Sequence, residues 1–280
     1  MFDPSRAPPS PPQQRQPVLQ APPATITLAI VLVLVHLLLA VLPEAEGDEI
    51  LLTFAFIPQV FLAALDGQGP LAPALWPLTT HLFLHLDALH LITNCGFLLA
   101  FASPVERRWG WLAFLAIFLA TGVVGALAQT WLVLEPTSRV GLLLGASGGI
   151  FGLMGTTLML GPQVLGRGMR LGPIILVLMA INVGIGLLSE VGLVGGYLIG
   201  WQAHLGGFLA GLSLAGPFKR LFHRECALGH PRAGARVANG ATPGAAGDGG
   251  IRIGACRNLL GLALFHHPFG AGQCGVVLHR

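Results

Sequence analysis

The stretch "GLLLGASGGIFGLMG", residues 141–155, is apolar enough to cross a membrane, yet it is rich in glycine and contains one serine, Ser147. Glycine weakens a helix, so its frequency here needs a reason. Glycines permit a sharp backbone turn before the serine and the close approach of a second helix after it. The stretch therefore predicts a membrane helix that packs tightly against another one.

A second stretch, "WQAHLGGFLAG", residues 201–211, is suited to be that other helix, because Gly200, His204, Gly207 and Gly211 recur at helical spacing and form one stripe. Contact between the two glycine faces would bring the Ser147 hydroxyl within reach of the His204 ring, the pairing that activates a serine nucleophile. A serine among small residues in a span also serves helix packing, or bonds back to the carbonyl four residues earlier.

The composition places both stretches in a polytopic membrane protein. Of 280 residues, 54% are hydrophobic and 10% are charged, and the mean hydropathy is +0.74, whereas soluble domains are roughly 25% charged. A net charge of +3 is too small to indicate a nucleic-acid partner. The four cysteines form no C-x-x-C pair, so neither a disulfide framework nor a zinc knuckle is indicated.

Apolar runs near the length of a membrane crossing predict an all-α fold of six transmembrane helices. Basic residues concentrate in alternate connections, with Arg139 the exception, which predicts that both termini lie inside. The predicted spans are residues 25–42, 86–104, 109–133, 141–161, 172–189 and 197–216.

Three regions are predicted along the chain. Residues 1–23 are rich in proline and glutamine and predict a disordered cytoplasmic arm, residues 24–217 hold the six-helix membrane domain, and residues 218–280 predict a low-complexity, disordered cytoplasmic tail. The long first loop, residues 43–80, is partly apolar and predicts an element embedded in the membrane interface, although a solvated connector is the alternative.

Polar groups interrupt the apolar sequence again at "HLFLHLDALHLITN", residues 81–94. His90 and Asn94 share one helix face, and His81 and His85 repeat the spacing upstream. Ionisable groups in a bilayer indicate function, pairing or a water-filled cavity. Packing roles are an alternative, and a zinc site is a further one, although Asp87 is the only carboxylate nearby in sequence.

Four motifs in this order resemble the rhomboid intramembrane serine proteases. They are "H-x3-H-x4-H-x3-N" (His81, His85, His90, Asn94), "V-E-R-R-W-G" (residues 105–110), "G-A-S-G" (residues 145–148) and "A-H-L-G-G-F-L-A-G" (residues 203–211). The resemblance covers residues 50–216 and implies a six-helix rhomboid bundle. Two departures from the family pattern are Trp76-Pro77, where relatives often carry Trp-Arg, and Phe151, where tyrosine is common.

The resemblance also implies roles for individual residues. Ser147 and His204 would form a catalytic dyad, and His90, Asn94, Gly145 and the Ser147 backbone N–H would surround the oxyanion and substrate. The remaining implied roles are stacking on the imidazole for Phe151, support of the site or its loop for His81 and His85, a structural pair for Glu106 with Arg108, and helix packing for Gly207 and Gly211.

The function implied is an endopeptidase without cofactor or metal, acting on the transmembrane or juxtamembrane segments of other membrane proteins. Its partners would be a substrate helix and the lipid bilayer. Span five, with Gly184 and Gly186, and the loop 190–196 would gate substrate entry, and packing against neighbouring helices is the equal alternative for these glycines. A catalytically silent rhomboid-like binding protein is the alternative, and a transporter is disfavoured because no inverted repeat is visible. A single lysine beside 14 arginines favours a bacterial plasma membrane.

Overall fold

The computed structural model describes residues 21–132, 142–161, 171–190, 193 and 200–228. Most of the predicted arm and tail therefore lies outside the described residues, as do Arg139 and most of the predicted cap at residues 190–196. Contact between residues divides the chain into two units, 1–218 and 219–280. All of the site described below belongs to the first unit.

The described part of the chain is helical, apart from one antiparallel bridge between Phe56 and Leu143. A 3-10 turn at His81–Phe83 precedes the longest helix. The helices are α1 (Pro23–Val41), α2 (Glu44–Phe54), α3 (Pro58–Leu65), α4 (Leu71–Leu75), α5 (Pro77–Thr80), α6 (Ala88–Trp131), α7 (Ser147–Leu160), α8 (Leu171–Glu190) and α9 (Trp201–Leu228).

Three of the described helices are long and apolar enough to cross a membrane, namely α1, α6 and the part of α8 at Gly172–Ser189, while α7 is apolar but shorter. At 44 residues, α6 is about twice the length that one crossing needs. Gly110 interrupts it with φ 85° and ψ 170°, a left-handed conformation that glycine adopts without strain. The break lies at the beginning of predicted span three, two residues after the predicted connection at 105–108.

Helix α7 is largely enclosed by the described helices around it. It has no polar face, and most of its residues are buried, as expected of a helix that is apolar all round. Hydroxyls tie it to its neighbours: Thr156 Oγ1 donates to Gly211 O on α9 at 3.1 Å, and Thr157 Oγ1 donates to Phe101 O on α6 at 3.0 Å. The first residue of this enclosed helix is Ser147.

Glu106 on α6 caps the beginning of α1. Its carboxylate accepts from the Ala24 N–H at 3.0 Å, the Thr25 N–H at 2.7 Å and the Thr25 hydroxyl at 2.7 Å. The first N–H groups of a helix lack partners within the helix, so a carboxylate there stabilises it. The sequence indicated a structural role with Arg108, which is exposed on α6, but gave no sign of the contact with α1.

The first loop folds into the short helices α2 to α5, and backbone hydrogen bonds connect it to the segment before α7. Trp76 Nε1 donates to Thr53 O at 3.2 Å, and Thr80 Oγ1 donates to Phe54 O at 2.7 Å. The bridge to Leu143 follows directly, with N–H···O distances of 3.0 and 2.8 Å. Despite the Trp76-Pro77 departure, the loop thus forms hydrogen bonds of its own. The bridge between Phe56 and Leu143 then joins the loop to the segment before Ser147.

Candidate active site

The turn before α7 presents Ser147 at the start of the helix. Gly145 has φ 115°, a conformation that disfavours any residue with a side chain, and its N–H donates to His81 O at 2.9 Å. The first N–H groups of α7, including that of Ser147, have no partner inside the helix, and they lie at the positive end of its dipole. The serine is therefore joined to a group of donors suited to an anion.

Close packing of α9 on α7 brings the histidine to the serine. A Cβ on Gly207 would overlap Gly148 O, and one on Gly211 would overlap Gly152 O. With the two backbones in contact, His204 Nε2 lies 2.6 Å from Ser147 Oγ. This geometry allows the serine O–H to donate to the imidazole, as a nucleophile and its base require.

Two side chains orient the His204 ring. Phe151 stacks on it with 4.4 Å between ring centroids and 12° between ring planes. On the opposite edge, His204 Nδ1 lies 3.0 Å from Asn182 Oδ1 on α8. We did not single out Asn182 from the sequence. A signal was present, because a lone asparagine in an apolar span needs a partner or a function.

His90 and Asn94 lie beside the turn that precedes the serine. A Cβ on Gly145 would be 2.7 Å from His90 Nε2 and 3.7 Å from Asn94 Nδ2, so both side chains face this part of the backbone. Asn94 Nδ2 donates to His90 O at 3.1 Å, which leaves its second amide proton for another acceptor. Asp87 caps α6, since its carboxylate accepts from the His90 N–H at 2.8 Å.

His81 and His85 lie outside the membrane-spanning helices and behind the site. His81 is buried, and its Nδ1–H donates to Pro77 O at 2.7 Å. His85 packs edge-on against His90, with 5.2 Å between ring centroids. Burial lowers the pKa of each to about 4, because a charged imidazole is poorly solvated there, and in His85 the neighbouring His90 adds to the effect. Both rings are thus neutral at physiological pH.

A cavity of about 570 Å³ opens beside Ser147 and His204, and its volume is within the usual range of a ligand site. It is mainly apolar, and its polar lining includes His90, Asn94, Ser147 and His204 together with Asn182. Of the predicted site residues, His81, His85 and Gly145 are not part of this lining. In the described part of the chain, no group of three or more histidine, cysteine or carboxylate residues is arranged to hold a metal ion. The cavity-lining residues on which the argument below depends are His90, Asn94, Ser147, Phe151, Asn182 and His204.

In this helical protein a serine hydroxyl and an imidazole are in contact beside polar side chains and a mainly apolar cavity. Residues 72–220 match the sequence model of the Rhomboid domain. The match covers more than half of the chain, and the chain therefore belongs to the rhomboid family and is an integral membrane protein.

Several curated proteins are similar to this chain. It is 33% identical over 161 residues to the "Rhomboid protease GluP" of Bacillus subtilis (strain 168), covering 57% of this chain and 27% of that protein. It is 29% identical over 155 residues to the mitochondrial "Presenilin-associated rhomboid-like protein A" of Danio rerio, covering 53% and 39%. The "Rhomboid-like protease 3" of Toxoplasma gondii is 31% identical over 140 residues, covering 50% of each chain. The matches thus span between about a quarter and a half of these relatives.

Proposed function

We propose that this protein is an intramembrane serine endopeptidase that cleaves the transmembrane or juxtamembrane segments of other membrane proteins. The observation that carries the proposal is the 2.6 Å separation of Ser147 Oγ and His204 Nε2. Membership of the rhomboid family and the protease names of two of the relatives described above support it.

In the proposed reaction, Ser147 attacks the carbonyl carbon of the substrate while His204 Nε2 takes the hydroxyl proton. The same nitrogen then returns the proton to the leaving amine, which leaves an acyl-enzyme for water to hydrolyse. In the described structure the group beside His204 Nδ1 is an amide and not a carboxylate, which supports a serine–histidine dyad.

We assign the negative charge of the tetrahedral intermediate to three donors, namely the Ser147 N–H, His90 and Asn94. Their common proximity to Gly145 supports the assignment. Such donors stabilise charge that develops in the transition state, and one of them is typically worth about 10²- to 10³-fold in rate. Phe151 fixes the imidazole, while His81 and His85 support the loop.

We further propose six membrane crossings with both termini inside, with α6 making two of them around Gly110. The contact of Glu106 with the start of α1, and the stacking of Trp109 on Phe218 at 5.6 Å between ring centroids, support a common inner end for these segments. The site then opens toward the outer side, where water is available. We propose α8 as the gate for the substrate helix and a bacterial plasma membrane as the location.

A catalytically silent rhomboid-like binding protein is the second candidate, since the curated relatives include a protein named only rhomboid-like. It predicts that a substrate helix binds without cleavage and that Ser147 is unreactive. The contact between serine and imidazole favours the protease.

Reconstitution in liposomes with a single-pass membrane substrate tests the proposal. We expect wild type to release a shorter product, Ser147→Ala and His204→Ala to release none, and chelators to have no effect. Ser213→Ala is the matched control, because that hydroxyl donates to Leu209 O at 2.9 Å within α9, away from the site. A serine-directed fluorophosphonate should label wild type and the control alone. Binding of the substrate without labelling or cleavage would contradict the proposal.

A further inference from the structure

Asn182 lies on the one face of α8 that packs into the protein. Ile175, Met179, Asn182 and Gly186 recur at spacings of four, three and four, which is the stripe of a packed helix. Ile175 and Met179 are buried, and a Cβ on Gly186 would overlap the Trp201 side chain. Asn182 is the polar member of this stripe. Its amide is therefore directed at α9, where it meets the His204 ring.

The contact specifies which nitrogen of His204 carries the proton. A neutral imidazole has one N–H and one acceptor nitrogen. If Nδ1–H donates to Asn182 Oδ1, then Nε2 keeps its lone pair, and that lone pair faces the Ser147 hydroxyl at 2.6 Å. In the other tautomer Nε2 would carry the proton and could not accept one from the serine. The ring partner at Nδ1 thus decides whether Nε2 can act as a base.

We propose that Asn182 is a positioning residue for the catalytic base: its amide oxygen selects the Nδ1–H tautomer of His204 and holds the ring toward Ser147. The inference rests on the proposed protease function and extends it with a third side chain. It also makes the orientation of the base depend on where α8 lies, because Asn182 reaches the ring from that helix.

The amide differs from Phe151 in what it contributes. Phe151 stacks on the ring face and restricts its plane, yet an apolar ring cannot distinguish one nitrogen from the other. Asn182 contacts the ring edge and can do so through its oxygen. The two side chains therefore act on different degrees of freedom, and only loss of Asn182 should change the tautomer.

The variants follow from this distinction. Asn182→Leu keeps the volume and removes the acceptor, whereas Asn182→Asp keeps an acceptor oxygen at the same distance along the side chain. Thr157→Val is the matched control, because it removes an interhelical hydrogen bond, that to Phe101 O at 3.0 Å, without touching His204. Hydrogen bonds between membrane helices are worth about 0.6 to 1.7 kcal/mol, which corresponds to about 3- to 20-fold in rate.

For cleavage of a membrane substrate, we expect Asn182→Leu to lower kcat by about 3- to 20-fold with KM unchanged. Asn182→Asp should recover at least half of the lost rate, and Thr157→Val should cleave at the wild-type rate. A merely structural role would lower the unfolding temperature of Asn182→Leu and Thr157→Val alike and leave kcat per folded molecule intact. Wild-type kcat in Asn182→Leu would overturn the inference while leaving a serine-dependent protease in place.

A second readout does not require activity. Nitrogen-15 spectra of labelled histidines distinguish protonated from unprotonated ring nitrogens, and the His204 signals are those that vanish in His204→Gln. We expect Nδ1–H in wild type and in Thr157→Val, and a mixture with the other tautomer in Asn182→Leu. An unchanged tautomer in Asn182→Leu would overturn the inference. If wild type gave the expected spectra but cleaved nothing, positioning would stand and the proposed protease function would fail.

Discussion

Helices α7 and α8 both supply the site, but they are held very differently. Helix α7 is buried along most of its length, and α9 lies directly on its glycines. On α8, large apolar residues outside the packed stripe are exposed, at 52% for Ile174, 57% for Leu176 and 57% for Val177. The proposed nucleophile and base thus belong to an enclosed pair of helices, α7 and α9. The side chain that we propose to orient the base lies on α8, a helix with little burial.

The largest combined effect, on stability and on reactivity together, should come from separating the enclosed pair. Gly207→Ala places a methyl group onto Gly148 O, which is backbone and cannot rotate away. We expect destabilisation of about 1 to 3 kcal/mol and a loss of at least tenfold in fluorophosphonate labelling, as the imidazole is moved from the serine. Thermal unfolding in detergent and the labelling rate measure the two effects.

Gly216→Ala is the matched control on the same helix, because a Cβ there meets nothing within 4 Å. It should leave labelling unchanged and stability equal or slightly higher, since alanine is the better helix former. Equal behaviour of the two variants would mean that the glycine contact does not hold the pair together.

The next effect, on rate alone, should come from loss of a proposed oxyanion donor on α6. Asn94→Ala removes an amide that lies close to the serine turn, and we expect kcat to fall by about 10²-fold with the protein still folded. Its neighbour Cys95, a free thiol, supplies the control Cys95→Ala, which should keep the wild-type rate. A drop of less than threefold in Asn94→Ala would exclude Asn94 from the oxyanion site.

Acid should lower the stability of the protein through His81, which lies next to the turn before α7 because its carbonyl accepts from the Gly145 N–H. The folded pKa is lowered to about 4 from 6.5, so the unfolded chain binds the proton first. Stability is then complete above pH 6.5 and falls as the pH drops toward 4, by about 2 to 3 kcal/mol. Unfolding temperatures at several pH values should have a smaller slope in His81→Gln. Equal slopes in the two proteins would contradict the assignment.

The smallest effects are expected on α8, where two glycines provide an internal comparison. Gly186→Ala would press against Trp201 and should destabilise by about 1 kcal/mol, whereas Gly184→Ala meets nothing within 4 Å and should be neutral or slightly stabilising. Unfolding temperatures measure both. If Gly186→Ala also reduced kcat as Asn182→Leu does, the position of α8 would be tied to the chemistry. Identical stability in the two variants would mean that α8 is not seated on α9.

Hydropathy and spacing predict much of this arrangement because they act locally. The predicted first span begins two residues after α1 does, and the glycine spacing around Ser147 and His204 reflects contacts that lie on single helix faces. The contact of Asn182 with His204 could not be predicted in this way. It depends on the rotation of α8 against α9, and no periodic pattern links two residues that lie 22 apart on different helices. The prolines that begin α3 and α5 are a readable signal of helices in the first loop, because proline favours the first position of a helix.

The carboxylate of Glu106 has a consequence for how the chain is assembled. It accepts hydrogen bonds from residues 82 and 81 positions earlier in the sequence. During synthesis, the N–H groups of Ala24 and Thr25 at the start of α1 therefore lack this acceptor until Glu106 has left the ribosome. We expect a nascent chain that ends before Glu106 to keep that helix end dependent on water or lipid headgroups, and the arrival of this one side chain to complete it.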